Sequence, residues 1–298
     1  MLTFDDNLFL KIVAWLFYCP FYIYALIVKF CLSKKRHVTV YAPQQPRVVV
    51  VTGASQGIGE GLVEYYCRNC PTCEIIIVIS RSKEKLEKVK ERFDTNSQKK
   101  LLIYACDVTH GEEMKSILSD IHQTYGQVDI LFANAGVSFR QLSENNSFDK
   151  AVRDAFNINV SGVINTIMPL IELKAVRQIV IISSQAAYAP VMSPIYGTTK
   201  QCVLSFGLDL RHMLAKHNIA VNVVSPGPVV TPMLLGSNPR SVSRGVSVNE
   251  AARIIADGIR RNQAEIVFPA TTGIFMYLLQ SLPTCLAEAI AFHLFVKN

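Results

Sequence analysis

The residues of this chain best suited to chemistry are Tyr196 and Lys200, four positions apart in Tyr196-Gly197-Thr198-Thr199-Lys200. On a helix that spacing puts both side chains on one face. A phenol with a pKa of about 10 is a poor proton donor and acceptor at neutral pH, and an ammonium beside it favours the phenolate. The pair reads as a proton-transfer device in which Lys200 pulls the Tyr196 pKa down. A serine hydroxyl able to steady a developing alkoxide would complete it, and Ser183 and Ser184 stand a short way upstream in Ile-Ile-Ser-Ser-Gln-Ala-Ala.

A second constellation is Thr52-Gly53-Ala54-Ser55-Gln56-Gly57-Ile58-Gly59. Backbone N–H groups at the start of a helix, helped by the positive end of its dipole, hold a dinucleotide pyrophosphate where a strand turns into that helix. Gly53 is expected to make the tight turn, Gly57 to let the backbone approach the phosphates, and Gly59 to let helix and strand pack closely.

These side chains need a scaffold, and the hydrophobic pattern supplies one. Residues 47–51 form a β-branched run of the kind buried on both faces, and a helix-like segment at 58–67 follows the glycines. Further strands are expected at 74–80, 101–106, 128–133, 178–183, 220–225 and 265–268, with an amphipathic helix at 83–93 and the Tyr196 helix running on through Leu214. Alternating strands and helices imply an α/β fold, a Rossmann-type doubly wound parallel sheet, because parallel strands need crossover helices.

The glycine spacing, Thr-Gly-x-x-x-Gly-Ile-Gly, resembles that of the short-chain dehydrogenases/reductases, and the resemblance runs over about residues 47 to 270. It implies hydride transfer between a nicotinamide cofactor and a carbonyl or hydroxyl group. It further implies a catalytic set of Asn159, Ser184, Tyr196 and Lys200, with Ser183 as the alternative serine because Ser184 lies one residue nearer to Tyr196 than is usual. Cofactor contacts are implied for Gly53, Ser55, Gln56, Gly57, Ile58, Gly59, Asp107 (adenine), Asn134, Ala135 and Gly136 (adenine ribose side), and for Tyr196 and Lys200. Pro226, Gly227, Val229 and Thr231 would hold the nicotinamide amide. An NAD site needs a carboxylate at the end of the second strand and an NADP site needs a cation there. The chain has Ser80 and Arg81 with no acid until Glu84, so NADP(H) is expected in preference to NAD(H).

Composition sets the surroundings. The 298 residues are half hydrophobic, enough for one sizeable core, and the apolar excess gathers at the two ends. Residues 8–32 are long and apolar enough to span a bilayer, and Lys34, Lys35 and Arg36 follow, which predicts a retained membrane anchor with the main domain in the cytosol; a helix lying in the interface is the alternative. The expected division is 1–46 anchor and linker, 47–270 catalytic domain, and 271–298 an apolar segment that contacts membrane or packs on the domain. A net charge of +7 without a Lys/Arg arm argues against nucleic acid. Eight scattered cysteines indicate a reducing compartment, and Cys67, Cys70 and Cys73, despite metal-like spacing, lack a fourth ligand nearby, so no metal site is assigned.

The expected partners are a hydrophobic small molecule and a lipid bilayer, with room for a homo-oligomer. The layout is similar to that of the 3-ketosphinganine reductases of the endoplasmic reticulum, which makes a long-chain keto-lipid the first expectation and a steroid or retinoid the second. A non-catalytic nucleotide-binding subunit of a membrane assembly is the reading from another class.

Overall fold

The computed structural model describes residues 40, 42–93, 99–144, 146–188, 194–235 and 245–282, together with positions 23, 243, 286–287 and 289–290. The chain divides into two compact units, Met1–Thr39 and Val40–Asn298. The predicted anchor at 8–32 and the basic cluster Lys34, Lys35 and Arg36 lie outside the described residues, apart from position 23. Among the described residues no helix is long and apolar enough to cross a membrane.

In the second unit seven strands form one parallel sheet: β1 (Val48–Thr52), β2 (Ile75–Ser80), β3 (Lys100–Ala105), β4 (Val128–Ala133), β5 (Val176–Ile182), β6 (Ala220–Pro226) and β7 (Glu265–Phe268). Their order is β3-β2-β1-β4-β5-β6-β7. The crossovers between successive strands include helices α1 (Gly57–Asn69), α2 (Lys83–Phe93), α3 (Gly111–Tyr125), α4 (Phe139–Ser143), α5 (Phe148–Phe156), α6 (Gly162–Glu172), α7 (Pro194–Ala215), α8 (Pro232–Leu235) and α9 (Val248–Arg260). The doubly wound fold follows from the alternation of β-branched runs with amphipathic helices, since the inner strands β1, β4 and β6 are buried along their whole length and need no polar side. Val48 and Val50 of β1 join the core shared with α3, α6 and α7, and Val49 and Val51 join the core shared with α1, α2 and α9. Side chains that alternate along a strand thus feed two separate apolar layers.

Local chemistry sets several helix starts. The hydroxyls of Ser147 and Ser247 accept from the N–H groups of Lys150 and Glu250 and cap α5 and α9, each contributing on the order of 1 kcal/mol.

Helix α10 (Ala270–Ser281) takes up the first part of the apolar C-terminal segment. Its inner face buries Gly273, Tyr277 and Leu279. The Tyr277 ring stacks on Tyr188 with centroids 4.0 Å apart, both hydroxyls donate to the Glu265 carboxylate of β7, and the Ser225 hydroxyl of β6 donates to it at 3.2 Å. Ile274, Phe275 and Leu278 remain exposed on the outer face.

Candidate active site

From β1 the chain winds outward to β2 and β3, then returns to place β4 on the other side of β1. In a doubly wound sheet ligands bind outside the carboxyl ends of the strands where the winding reverses, here at β1 and β4. Gly53 begins the turn after β1 with φ +66°, and a Cβ there would sit 2.7 Å from the Ala135 Cα beyond β4. Only glycine meets both demands. The Thr52 hydroxyl donates to Phe132 O and accepts from the N–H groups of Asn134 and Ala135, while the Asn134 amide donates to Thr52 O at 2.8 Å and Gly53 O at 3.2 Å. The two loops are bolted together, in part by the Asn134 amide.

Helix α1 starts at Gly57, φ +63°, and its N-terminal residue Gln56 makes no side-chain cap, so the first-turn N–H groups are not met from that side chain. Thr231 Cγ2 would lie 3.1 Å from a Cβ on Gly57, which brings the segment after β6 against the glycine turn. In that segment Val246 N–H donates to Pro228 O and Val230 N–H to Val246 O, so the N–H and C=O of Val229 point to the opposite side of its strand. Gly227 touches the Gln185 side chain, and Pro226 ends β6. At the end of β2 the Ser80 hydroxyl donates to Ser55 at 3.0 Å, and the Arg81 guanidinium lies 3.8 Å from the Asp107 carboxylate. Asp107 is itself oriented by the N–H and hydroxyl of Thr109, both at 2.9 Å. Ile58 is partly buried in the first turn of α1 and packs on the layer under β1.

Gly59 gives the sharpest packing test. A Cβ there would meet Gly53 O at 2.4 Å and Asn134 Nδ2 at 2.6 Å. Gly59→Ala is therefore expected to destabilise the protein by about 1–3 kcal/mol through overpacking and to weaken dinucleotide binding more than tenfold. Thermal unfolding and cofactor titration on the same preparation check it; a variant with unchanged binding would show that the turn tolerates the shift.

The proton-transfer residues come together from three elements. A π-helical turn, Asn157–Ser161, interrupts the run from α5 into α6, and a widened turn of this sort re-aims the side chains it carries. Asn159 is fully buried: its Oδ1 accepts from Val137 N–H at 2.8 Å and its Nδ2 donates to Val137 O at 3.0 Å and to the Thr199 hydroxyl at 3.1 Å. Lys200, 3 % exposed, donates from Nζ to Ile182 O at 2.9 Å and stands 5.7 Å from the centroid of the Tyr196 ring. The Tyr196 hydroxyl faces the Ser184 side chain. Between the two serines the geometry is plain: buried Ser183 donates to Lys200 O at 2.8 Å and so tethers α7, while Ser184 faces the phenol and accepts from Ala186 N–H at 3.1 Å.

The expectation that Lys200 depresses the Tyr196 pKa needs correcting. Burial pushes the phenol above its usual value, with only Ser184 pulling the other way. Burial also brings the lysine down to about 8. The ammonium leans on the tyrosine ring and donates to a carbonyl, and neither contact stabilises charge on the phenol oxygen. At neutral pH the pair is a neutral phenol beside an ammonium.

These parts form one connected site. Gly53 touches Ala135, and a Cβ on the next residue, Gly136, would lie 3.2 Å from both Lys200 Nζ and Asn159 Oδ1. The short chain dehydrogenase family profile matches residues 47–241, more than half of the chain. The protein belongs to the short-chain dehydrogenase family.

An 11-beta-hydroxysteroid dehydrogenase-like protein of Arabidopsis thaliana is 29% identical to this dehydrogenase over 282 residues, covering 91% of this chain and 88% of its own. Among solved structures, a short chain dehydrogenase of Mycobacterium paratuberculosis bound to NAD is similar with a TM-score of 0.62 at 22% identity, covering 76% of this chain and 97% of its own. The L-sorbose reductase of Gluconobacter frateurii, complexed with NADPH and L-sorbose, gives 0.61 at 22%, covering 76% and 95%. Both show the shared fold, and their different cofactors leave the choice of dinucleotide to this chain's own residues.

Three positioning residues, Thr52, Thr199 and Gln185, carry no role that the sequence alone assigns. Thr199 accepts from Asn159 and donates to Tyr196 O at 2.8 Å, coupling the π turn to α7; its place between Tyr196 and Lys200 was the available signal. Thr52 had been quoted with the glycines without a role. Gln185, which donates to Pro269 O and accepts from Thr272, ties the loop after β5 to α10 and carries no motif that would reveal it.

Proposed function

We propose that this dehydrogenase transfers hydride between NADP(H) and a carbonyl or hydroxyl group of a hydrophobic substrate. The observation that carries the reading is the unbroken contact from the glycine turn through Ala135 and Gly136 to Lys200, with the Tyr196–Ser184 pair alongside. A glycine cradle that a Cβ would fill and an α1 start lacking its side-chain cap fit a dinucleotide, which when bound supplies or accepts the hydride.

The chain's own groups do the rest. In reduction Tyr196 gives its proton to the carbonyl oxygen while Ser184 donates to the same oxygen and steadies the growing negative charge. Burial keeps the phenol protonated, so it carries the proton that this direction consumes. Lys200, held by Ile182 O, packs against the face of the tyrosine ring, and Asn159 with Thr199 fixes the helix that carries both. Gly53, Ser55, Gln56, Gly57, Ile58 and Gly59 would hold the pyrophosphate side, Asp107, Asn134, Ala135 and Gly136 the adenosine, and Pro226, Gly227, Val229 and Thr231 the nicotinamide amide.

Arg81 supports NADP(H), being a largely exposed cation at the end of β2 with no carboxylate on that strand end. Arg81→Asp is expected to lower the NADPH preference over NADH by roughly tenfold to a hundredfold, the worth of a lost charge-assisted hydrogen bond. The ratio of kcat/KM values for the two cofactors measures it; an unmoved ratio assigns phosphate recognition elsewhere.

For the substrate, similarity to the hydroxysteroid dehydrogenase-like relative over 91% of the chain favours a steroid-type ring system. A long-chain keto-lipid such as 3-ketosphinganine is the second reading, favoured by the exposed apolar side chains Val230 and Leu235 after β6. The same reading has the enzyme working on a bilayer of the endoplasmic reticulum from the cytosolic side, supported by the apolar stretch 8–32, the basic cluster after it and the exposed face of α10. NADPH consumption by membranes bearing the protein, offered keto-steroids, 3-ketosphinganine and retinal, tests the proposal. Turnover of one class names the substrate, and bound cofactor with no turnover of any class favours a non-catalytic subunit.

A further inference from the structure

Cys70, Pro71, Thr72 and Cys73 form a tight turn between α1 and β2, closed by a 3.2 Å hydrogen bond from Cys73 N–H to Cys70 O. Such a turn keeps its first and fourth Cα atoms within about 7 Å, overlapping the roughly 4.4–6.8 Å that a disulfide spans. The two thiols sit at the two ends of this turn, with Cys73 Sγ 3.8 Å from Ile75 O. Their environments differ. Cys73 is 1 % exposed, whereas Cys70 is half-buried, lies 3.6 Å from the Thr72 hydroxyl, and lines a surface cavity of about 330 Å³ with Tyr65, Tyr66 and Arg260. Lys99 reaches over from the start of β3 and donates to Tyr66 O, Cys67 O and Cys70 O, bringing an ammonium beside the turn.

We propose that Cys70 and Cys73 are an oxidant-sensitive dithiol, in which the accessible Cys70 is the attacking sulfur and the buried Cys73 the resolving one. Neither belongs to the catalytic crevice, since the turn lies at the amino-terminal edge of the sheet and the chemistry at the carboxyl edge. With a hydroperoxide as oxidant, Cys70 thiolate attacks the O–O bond, giving Cys70 sulfenic acid and the departing hydroxide or alkoxide. Cys73 sulfur then attacks the sulfenic sulfur, the S–S bond forms, and the Cys73 proton leaves with the hydroxyl as water. Hydrogen bonding from the Cys73 thiol, then from Thr72, with help from Lys99, holds the Cys70 pKa at about 6 against burial, while Cys73 is pushed up; this division of roles matches the sequence of steps.

The test uses the full-length protein and a stoichiometric amount of hydrogen peroxide. Trypsin releases residues 69–81 as one peptide that contains Cys70 and Cys73 and excludes Cys67. The expected product is that peptide lighter by two hydrogens and closed to alkylation until dithiothreitol is added. Cys73→Ser should instead trap Cys70 as a dimedone adduct, and Cys70→Ser should leave Cys73 unmodified. Between pH 7 and pH 6 the alkylation rate of Cys70 should fall about twofold, against roughly tenfold for N-acetylcysteine in the same tube. A peptide still open to alkylation while the exposed Cys202 has oxidised, a Cys67–Cys70 cross-link, or a tenfold fall at Cys70 would overturn the proposal.

Discussion

Tyr196→Phe is expected to cut kcat by about 10²–10⁴-fold, the range in which a positioned general acid contributes, while NADPH affinity stays within about twofold. The substitution deletes one oxygen and keeps the ring that fills the pocket beside Lys200. Ser184 retains its hydrogen bond from Ala186 N–H, so the loop after β5 has no cause to move. Loss of kcat with cofactor binding intact therefore isolates proton transfer from folding. Single-turnover reduction with a substrate found in the panel reads it directly, and an unaltered rate would remove Tyr196 from the chemistry.

Lys200→Met should abolish most activity and at the same time stabilise the protein near neutral pH. Burial lowers the lysine from the 10.5 of an exposed side chain to about 8 in the folded state. Between those two values the unfolded chain holds a proton that the folded chain has lost, so the wild type gains stability as pH rises through the window. Below about pH 8 both states are protonated and the cost of the buried ammonium is felt in full, about 3 kcal/mol. Methionine removes that cost and leaves Ile182 O without its donor, a loss of about 1 kcal/mol that does not depend on pH. The variant should thus melt above the wild type at pH 7, and the difference should shrink as pH approaches 10. Calorimetry at the two pH values decides: a pH-independent difference would mean that the lysine ammonium is not held at a cost. Stability given up at a site of chemistry is the expected signature of a working residue rather than a packing one.

Much of this protein is written locally. The seven strands were expected within a residue or two of where they lie, because a β-branched run between a turn and an amphipathic helix has few other ways to bury itself, and β4 and β7 match end to end. Gly53, Gly57 and Gly59 announced the turn, since left-handed φ and backbone contact exclude other side chains. Tyr196 and Lys200 were picked out by helical spacing together with the family-like set around them.

Other features depend on atoms that are distant along the chain. Adjacent serines look equivalent in sequence, and only the carbonyl of Lys200 above Ser183 and the phenol above Ser184 tell them apart. Asn134 is expected at the cofactor from its place after β4, and only the fold shows that its amide also bolts β4 to the glycine turn. The proton affinity of Tyr196 is not legible from spacing, which reveals that an ammonium is near and says nothing about burial; here burial raises the phenol and the ammonium lies against the ring. Sequence by itself determined the winding of the sheet, the glycine turn and the acid–base pair, all of which rest on periodicity and steric exclusion over a few neighbouring residues. Tertiary structure alone decided which serine faces the phenol, which way the pKa values move and how α10 is clamped to Glu265, because hydrogen-bond partners and desolvation are set by what folds over a residue.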